Sequence, residues 1–331
     1  MKAIIPVAGL GTRLRPHTYS TPKVLLPVAG KPMLAHILDE LVDLGVEEIS
    51  FIVHYLADPI QKWILDHYSF KSNFVDQTEL LGLGHAISLA APYHRDNDSV
   101  LIILGDTIFE ADLGTILSWP ENSIGVKSVE DPRRFGIVEL EGEKVKRLIE
   151  KPEHPPTNLA IVGIYNITDP ALLFDSLDEI IRENKTTRGE IQLTDALQRM
   201  LEKGTEFRTF EIDGWLDCGK PETLFDTNRR LLDRDGKKED LETLRKRYPT
   251  SVILPPVSIH ESAGITNSVI GPYVTVSEEV LLEHCIVKNS IISKKARIRE
   301  ILLDSSLIGE DTTISGNFSE LNVGDQSIVA K

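Results

Sequence analysis

The apolar stretch Ala3-Ile4-Ile5-Pro6-Val7-Ala8 runs directly into Gly9-Leu10-Gly11-Thr12-Arg13, the pattern of a buried strand ending at a glycine turn able to cradle an anion. The surrounding charge points the same way. The first 38 residues contain no acidic side chain but carry Lys2, Arg13, Arg15, Lys23 and Lys31, in a chain of formal net charge −15. A positive glycine loop at the end of a buried strand belongs to an α/β layer structure, and the guest it favours is a phosphate-rich small molecule.

Length and composition narrow the class. The 331 residues leave room for two domains, and 41% hydrophobic with 26% charged residues is ordinary globular composition. The acidic balance, 36 Lys and Arg against 51 Asp and Glu, argues against nucleic-acid or anionic-membrane partners, which need an extended positive face. Cys218 and Cys285 stand far apart in unrelated contexts, which suits a reducing compartment and offers no metal-binding cysteine pattern. The N-terminal apolar run is interrupted at Arg13 and no later segment is long enough to span a bilayer, so the expectation is a cytoplasmic protein.

Short apolar runs alternate with amphipathic stretches over the first two-thirds of the chain, predicting a mainly parallel, Rossmann-like sheet covered by helices. Strands are expected at 3–8, 49–54, 100–104, 123–129, 136–140, 158–165 and 207–212, and helices at 32–44, 59–67, 84–91, 170–183 and 191–203. Residues 222–248 are charge-dense and lack Val and Ile, which reads as an exposed helical connector. From Val252 onward, aliphatic pairs alternate with small and polar residues at a loose six-residue spacing, as in Val269-Ile270-Gly271-Pro272-Tyr273-Val274 and Ile291-Ile292-Ser293-Lys294-Lys295-Ala296. That is the hexapeptide pattern of a short left-handed parallel β-helix, with a plain β-meander as the alternative. The expected boundaries are 1–225, 226–250 and 251–331. So short a solenoid has exposed ends and gains most by packing on a neighbour, so a homo-oligomer formed through it is expected.

Two standard phosphate motifs are missing. Leu14 stands where a dinucleotide fingerprint needs its third glycine, and no Gly-x-x-x-x-Gly-Lys-Ser/Thr loop occurs anywhere. The glycine run still places backbone N–H groups where they can meet phosphate oxygens, with Arg13 as a two-pronged donor. Gly105-Asp106 follows the apolar run Val100–Leu104, which puts a carboxylate at a strand's C-terminal end, where open α/β sheets bind ligands.

Gly9-Leu10-Gly11-Thr12-Arg13-Leu14-x-Pro, followed by Pro22-Lys23 and Leu26-Pro27, resembles the sugar-1-phosphate nucleotidylyltransferases, in particular the glucose-1-phosphate thymidylyl- and uridylyltransferase branch. Further segments extend the resemblance over roughly residues 1–225: Gly105-Asp106, Glu150-Lys151-Pro152, the run from Asn158 to Tyr165, Arg188-Gly189-Glu190-Ile191-Gln192-Leu193-Thr194-Asp195, and Trp215-Leu216-Asp217-Cys218-Gly219. The resemblance implies a nucleotidyltransferase fold of type A and attack by a sugar 1-phosphate on the α-phosphorus of dTTP or UTP. The products are a nucleotide sugar and pyrophosphate, and glucose 1-phosphate is the expected acceptor.

By the same resemblance Arg13 and Lys23 hold the triphosphate, Lys151 neutralises the sugar phosphate, and Asp106 and Asp217 share a Mg²⁺ ion. Ala8, Gly9, Leu10, Gly11 and Thr12 form the nucleotide cradle, with Gln77 and Gly82 at the base. Gly136, Glu150, Ile161 and Tyr165 line the sugar pocket, and Arg188 and Glu190 lie further out. Phe135-Gly136 replaces the Tyr-Gly often found in this branch, and Gly82-Leu83-Gly84-His85-Ala86 departs from its familiar base loop. The choice between thymidine and uridine therefore stays open. A catalytically silent nucleotide-sugar-binding subunit and a mannose-1-phosphate guanylyltransferase are the alternatives. Acyl transfer by the C-terminal coils is disfavoured, because His260 and His284 are isolated there.

Overall fold

A computed structural model of the chain describes residues 1–235, 241–316 and 322–329. Parts of the expected connector (236–240) and of the expected coil segment (317–321 and 330–331) lie outside the described residues. The chain divides into two compact units, Met1–Gly9 with Ile37–Trp215, and Leu10–His36 with the chain from Leu216 onward.

The first unit is built on a nine-stranded sheet. In spatial order its strands are Lys71–Asp76, Glu48–Val53, Lys2–Pro6, Val100–Ile103, Leu159–Ile167, Asn122–Ser128, Phe207–Glu211, Lys144–Glu150 and Gly136–Glu141. The first four are parallel, with Ala3 opposite Ile49 on one side and Leu101 on the other. Beyond them the sheet is mixed: Leu159–Ile167 runs antiparallel to both its neighbours, and Phe207–Glu211 returns parallel to Asn122–Ser128. The central strands are covered on both faces, so Glu48–Val53 and Val100–Ile103 are buried at every position; Val100–Ile103 reads as an unbroken apolar run, and Glu48 and Ser50 interrupt the other. Pro170–Arg182 starts under a cap in which Asp169 accepts from the Leu172 N–H at 3.0 Å, and it packs Leu173, Phe174, Leu177 and Ile180 into the core. Leu193–Glu202 adds Ala196, Leu197 and Met200 to the same core.

Two sheet strands carry no clear sequence signal. Lys71–Asp76 is an edge strand without a fully buried residue, and Lys144–Glu150 forms an edge hairpin with Gly136–Glu141 whose burial is intermittent. At the edge Lys71–Asp76 buries little apolar surface, so alternation is weak; Lys144–Glu150 lies between two strands but buries only Val145 and Leu148 fully, which leaves no regular pattern.

In the second unit, three stacks of parallel strands form the C-terminal coils, consistent with a left-handed β-helix. Ile253, Ile270, Val287 and Leu303 stand in register in one stack. Val276, Ile292 and Ile308 do so in the next, and Ile265, Leu282, Ile298 and Ile314 in the third. These columns are the interior. At the corners, serine hydroxyls join residues 17 or 16 apart, and buried serines act as fixed acceptors: Ser268 Oγ takes the Cys285 N–H and Ser290 Oγ the Ser306 N–H. Corner residues such as Asn267, His284, Lys295 and Asp311 adopt left-handed backbone, which lets each coil turn within a few residues. The helix Leu241–Arg247 closes the first coil with Leu244, followed by Tyr248, whose hydroxyl donates to the Ala263 carbonyl.

The charge-dense stretch is helical at Pro221–Asp235 and Leu241–Arg247, but it is not simply exposed. Leu224, Phe225, Leu231 and Leu232 bury one face, and Asn228 Oδ1 accepts from both the Ala29 N–H and the Thr275 hydroxyl. Charge on one side of a helix hides an apolar stripe on the other when only composition is counted.

Candidate active site

In the first unit the parallel strands deliver their C-terminal ends side by side. Lys2–Pro6 continues into Val7, Ala8 and Gly9, with the Val7 N–H bonded to Ile52 O. The neighbouring strand Val100–Ile103 continues into Gly105 and Asp106. A Cβ at Gly105 would stand 2.5 Å from Val7 Cγ1 and 3.0 Å from Pro6 O, so only glycine allows this approach, and Asp106 is set beside the turn that starts the glycine loop. Open space surrounds the Cβ position at Gly9, which leaves its backbone accessible.

Gln77 follows the edge strand and is buried, its N–H bonded to Val53 O. Its amide nitrogen lies 3.2 Å from the Gly82 carbonyl and 3.3 Å from His85 Nδ1, which commits the donor side of the amide to its own loop. Gly82 has φ +115°, and a Cβ there would meet Ile191 O at 2.5 Å. The Gly84 N–H donates to the same carbonyl, so the 77–85 loop rests on the backbone of residues 190–192.

A second group gathers around Gly136. A Cβ at that position would lie 2.8 Å from Thr194 Oγ1, 2.9 Å from Glu150 Oε2 and 3.1 Å from Ile161 Cδ1. Glu150 is opposite Gly136 across the hairpin, almost fully covered, and accepts a 2.7 Å bond from the Thr194 hydroxyl. Lys151 Nζ is 3.2 Å from Glu150 Oε1 and 3.9 Å from Glu190 Oε2. Lys151 has φ +43°, a conformation held by its N–H bond to Phe135 O and by Arg188 Nη2 on its carbonyl at 3.0 Å. Gln192 donates to Glu190 Oε2 at 2.8 Å. Burial raises the Tyr165 hydroxyl pKa, with the Glu150 charge adding to it, so that phenol stays protonated. Gly136, Glu150, Lys151, Ile161, Arg188 and Glu190 are thus linked by direct contacts, and two residues outside the expected set, Thr194 and Gln192, fix the carboxylates. Both lie in the run from Arg188 to Asp195, and a hydroxyl and an amide facing acidic residues give no sequence signal of their own.

The second unit holds Leu10, Gly11, Thr12, Arg13, Lys23 and Asp217. Gly11 has φ +60°, and a Cβ there would crowd Thr18 Cγ2 at 2.9 Å and Lys23 Cβ at 3.0 Å, so the loop folds tightly and backs Lys23 against the glycine. The Thr18 hydroxyl donates to Gly11 O, and short 3₁₀ turns at Thr12–Leu14 and Lys23–Leu25 carry the two cations. Arg13 and Asp217, far apart in sequence, meet over Gly219: a Cβ at Gly219 would be 2.9 Å from Arg13 Nη2 and 2.8 Å from Asp217 Oδ1. Asp217 Oδ1 also accepts the Gly219 N–H at 2.8 Å. His17, fully buried in the same loop, bonds Asn322 through Nε2, while Nδ1 has no partner among the described residues. Burial lowers its pKa, and Asn322 and Asp325 partly offset that. Among the described residues no cluster of three or more His, Cys, Asp or Glu side chains is arranged to hold a metal.

The nucleotidyl transferase family model matches residues 2–234. The chain belongs to this family. Over its full length it is 32% identical to the low-salt glycan biosynthesis nucleotidyltransferase of Haloferax volcanii, of which it covers 98%. It is 28% identical to a glucose-1-phosphate thymidylyltransferase of Streptomyces griseus, over 99% of this chain and 98% of that one. The bifunctional protein GlmU of Methanocaldococcus jannaschii is 35% identical over 98% of this chain and 81% of its own length. A solved UDP-glucose pyrophosphorylase complexed with UDP-glucose superposes with a TM-score of 0.61, covering 70% of this chain and 98% of that one, at 24% identity, which speaks for the fold. Membership of this family makes the chain a nucleotidyl transferase. None of its helices, among the described residues, is long and apolar enough to cross a membrane.

Proposed function

We propose that the chain transfers a thymidylyl or uridylyl group from dTTP or UTP to glucose 1-phosphate. A phosphate oxygen of the sugar attacks the α-phosphorus, and pyrophosphate leaves with the electron pair of the broken P–O bond. Both reactants are anions, so positioning and cationic clamps lower the barrier more than any covalent nucleophile would.

The observation that carries the reading is the close packing at Gly136. Without a side chain there, the covered Glu150 carboxylate and the Thr194 hydroxyl close in on the glycine, with the Lys151 ammonium beside them. A sugar ring bound alongside these groups can donate hydroxyls to Glu150 and present its 1-phosphate to Lys151. In this reading Ile161 and Tyr165 line the ring, and Arg188 and Glu190 hold Lys151 in place. Arg13 and Lys23 take the triphosphate and the departing pyrophosphate over the cradle of Ala8, Gly9, Leu10, Gly11 and Thr12, and Gly82 shapes the base loop. With the Gln77 amide nitrogen committed to its loop, Oε1 is the atom left to accept the N3–H of thymine or uracil.

Asp106 and Asp217 are assigned to Mg²⁺. Two hard carboxylate oxygens are the donor type magnesium takes when substrate phosphates and water complete its shell. The ion, when bound, neutralises phosphate charge as a Lewis acid. We also assign self-association to the coils, where Val252, Ile286 and Leu302 form an exposed, in-register aliphatic column. Two buried cysteine thiols suit a cytoplasmic setting.

Pyrophosphate release from four nucleoside triphosphates, paired with glucose, galactose, mannose and N-acetylglucosamine 1-phosphates, tests the assignment. Release with dTTP or UTP only when glucose 1-phosphate is present supports it. Preference for GTP and mannose 1-phosphate, or no release with any pair, refutes it in favour of the guanylyltransferase or the silent subunit.

A further inference from the structure

Within the second unit, the helix Pro221–Asp235 and the last coils enclose a cleft of about 640 Å³, a volume in the range of small-molecule sites. No residue assigned above to catalysis lines it. Glu222, Asp226 and Arg229 project from the helix, Ser305 and Asn322 face them from the coils, and Phe225 and Leu307 supply apolar surface.

The polar wall is already ordered. Arg229 Nε donates to Asn289 Oδ1 at 2.6 Å and Arg229 Nη1 to Asp226 Oδ1 at 3.0 Å, while Asn289 donates to Ser305 Oγ at 2.8 Å. Groups held in this way lose little freedom when a ligand arrives. The charge balance selects the ligand. Two carboxylates against one guanidinium make the wall net negative, which disfavours phosphates and so separates this cleft from sites for the chain's own anionic substrates. A pyranose matches the rest: its hydroxyls donate to Glu222 and Asp226 and accept from Arg229, and its C–H face lies on Phe225 and Leu307. Asn322 also bonds His17, in the loop that carries Arg13 and Lys23, so an occupant would touch an anchor of that loop.

We propose that this cleft binds an uncharged hexopyranose unit. The assignment stands on the cleft's own chemistry and does not rest on the nucleotide or sugar proposed above. Hydrogen exchange followed by mass spectrometry on the full chain, with methyl α-D-glucopyranoside as probe, tests it. Slower, saturable exchange in peptides covering 222–230 and 303–309 is expected, and the double variant Glu222→Gln/Asp226→Asn should raise the half-saturating concentration at least tenfold. Unchanged exchange in those peptides overturns the proposal. So does protection confined to 135–165 and 188–195, the sugar-phosphate residues, or equal protection in the double variant.

Discussion

A single missing methyl group shapes the sugar side of the site, because Thr194, Glu150 and Ile161 all approach the empty Cβ position of Gly136. Gly136→Ala must push Glu150 or Thr194 aside, and it should raise KM for the sugar 1-phosphate by roughly tenfold or more while leaving KM for the nucleotide near its starting value. Thr194→Val removes a hydrogen bond to a covered carboxylate, worth about 1.5–3 kcal/mol, so kcat/KM for the sugar phosphate should fall at least about tenfold. Steady-state kinetics with each substrate varied separately distinguishes these effects from a general loss of activity. Away from the site, His94 is fully buried, bonded to Ser50 Oγ at 2.8 Å, and burial lowers its pKa from 6.5 to about 4. The unfolded chain binds the proton near pH 6.5 and the folded chain only near pH 4, so stability present above pH 6.5 is lost as pH falls through that window. The loss is on the order of 3 kcal/mol. Denaturant titrations at pH 7 and 4.5 should show it, and His94→Gln should flatten it. Glu48 lies close by, but its titration falls elsewhere: burial raises its pKa, and bonds from Asn73, Lys71 and Lys2 outweigh this to bring it to about 2, so its share is lost only below pH 4.5.

At the scale of elements, alternation of buried and exposed residues organises the coils. Ile292 is fully buried between Val276 and Ile308, whereas Ile286 is 49% exposed. Ile292→Ala should cost roughly 2–5 kcal/mol through lost contacts and the cavity left behind, and Ile286→Ala should stay within about 0.5 kcal/mol. Equal unfolding midpoints for the two variants would contradict the stacking. The elements most legible in sequence were those covered on both faces: Lys2–Pro6, Val100–Ile103 and Leu159–Ile167 are apolar nearly throughout, Glu48–Val53 is apolar apart from Glu48 and Ser50, and Pro170–Arg182 announces itself by an Asp-Pro cap and a 3.6-residue stripe. Lys71–Asp76 was hidden because it lies at the sheet edge with no fully buried residue, and Lys144–Glu150 because its two fully buried residues, Val145 and Leu148, fall three apart and follow no strand alternation.

For the molecule as a whole, catalysis is expected to need a divalent cation while the fold does not. Chelation with EDTA should abolish pyrophosphate release, excess Mg²⁺ should restore it, and the far-ultraviolet circular dichroism should stay unchanged throughout; turnover persisting under chelation would remove the magnesium role from Asp106 and Asp217. The linear order of residues was enough for the α/β layer and the coil segment, because strand burial, glycine turns and six-residue spacing are local properties written into neighbouring residues, and the resemblance of its motifs was enough for the nucleotidyl transferase family. Tertiary structure alone decided which distant groups meet: Arg13 with Asp217 over Gly219, Thr194 with Glu150 beside Gly136, and Asn322 with His17. Such pairings depend on how strands and coils are ordered in space, and a hydroxyl, an amide or a glycine looks the same in sequence whether it faces a partner or solvent.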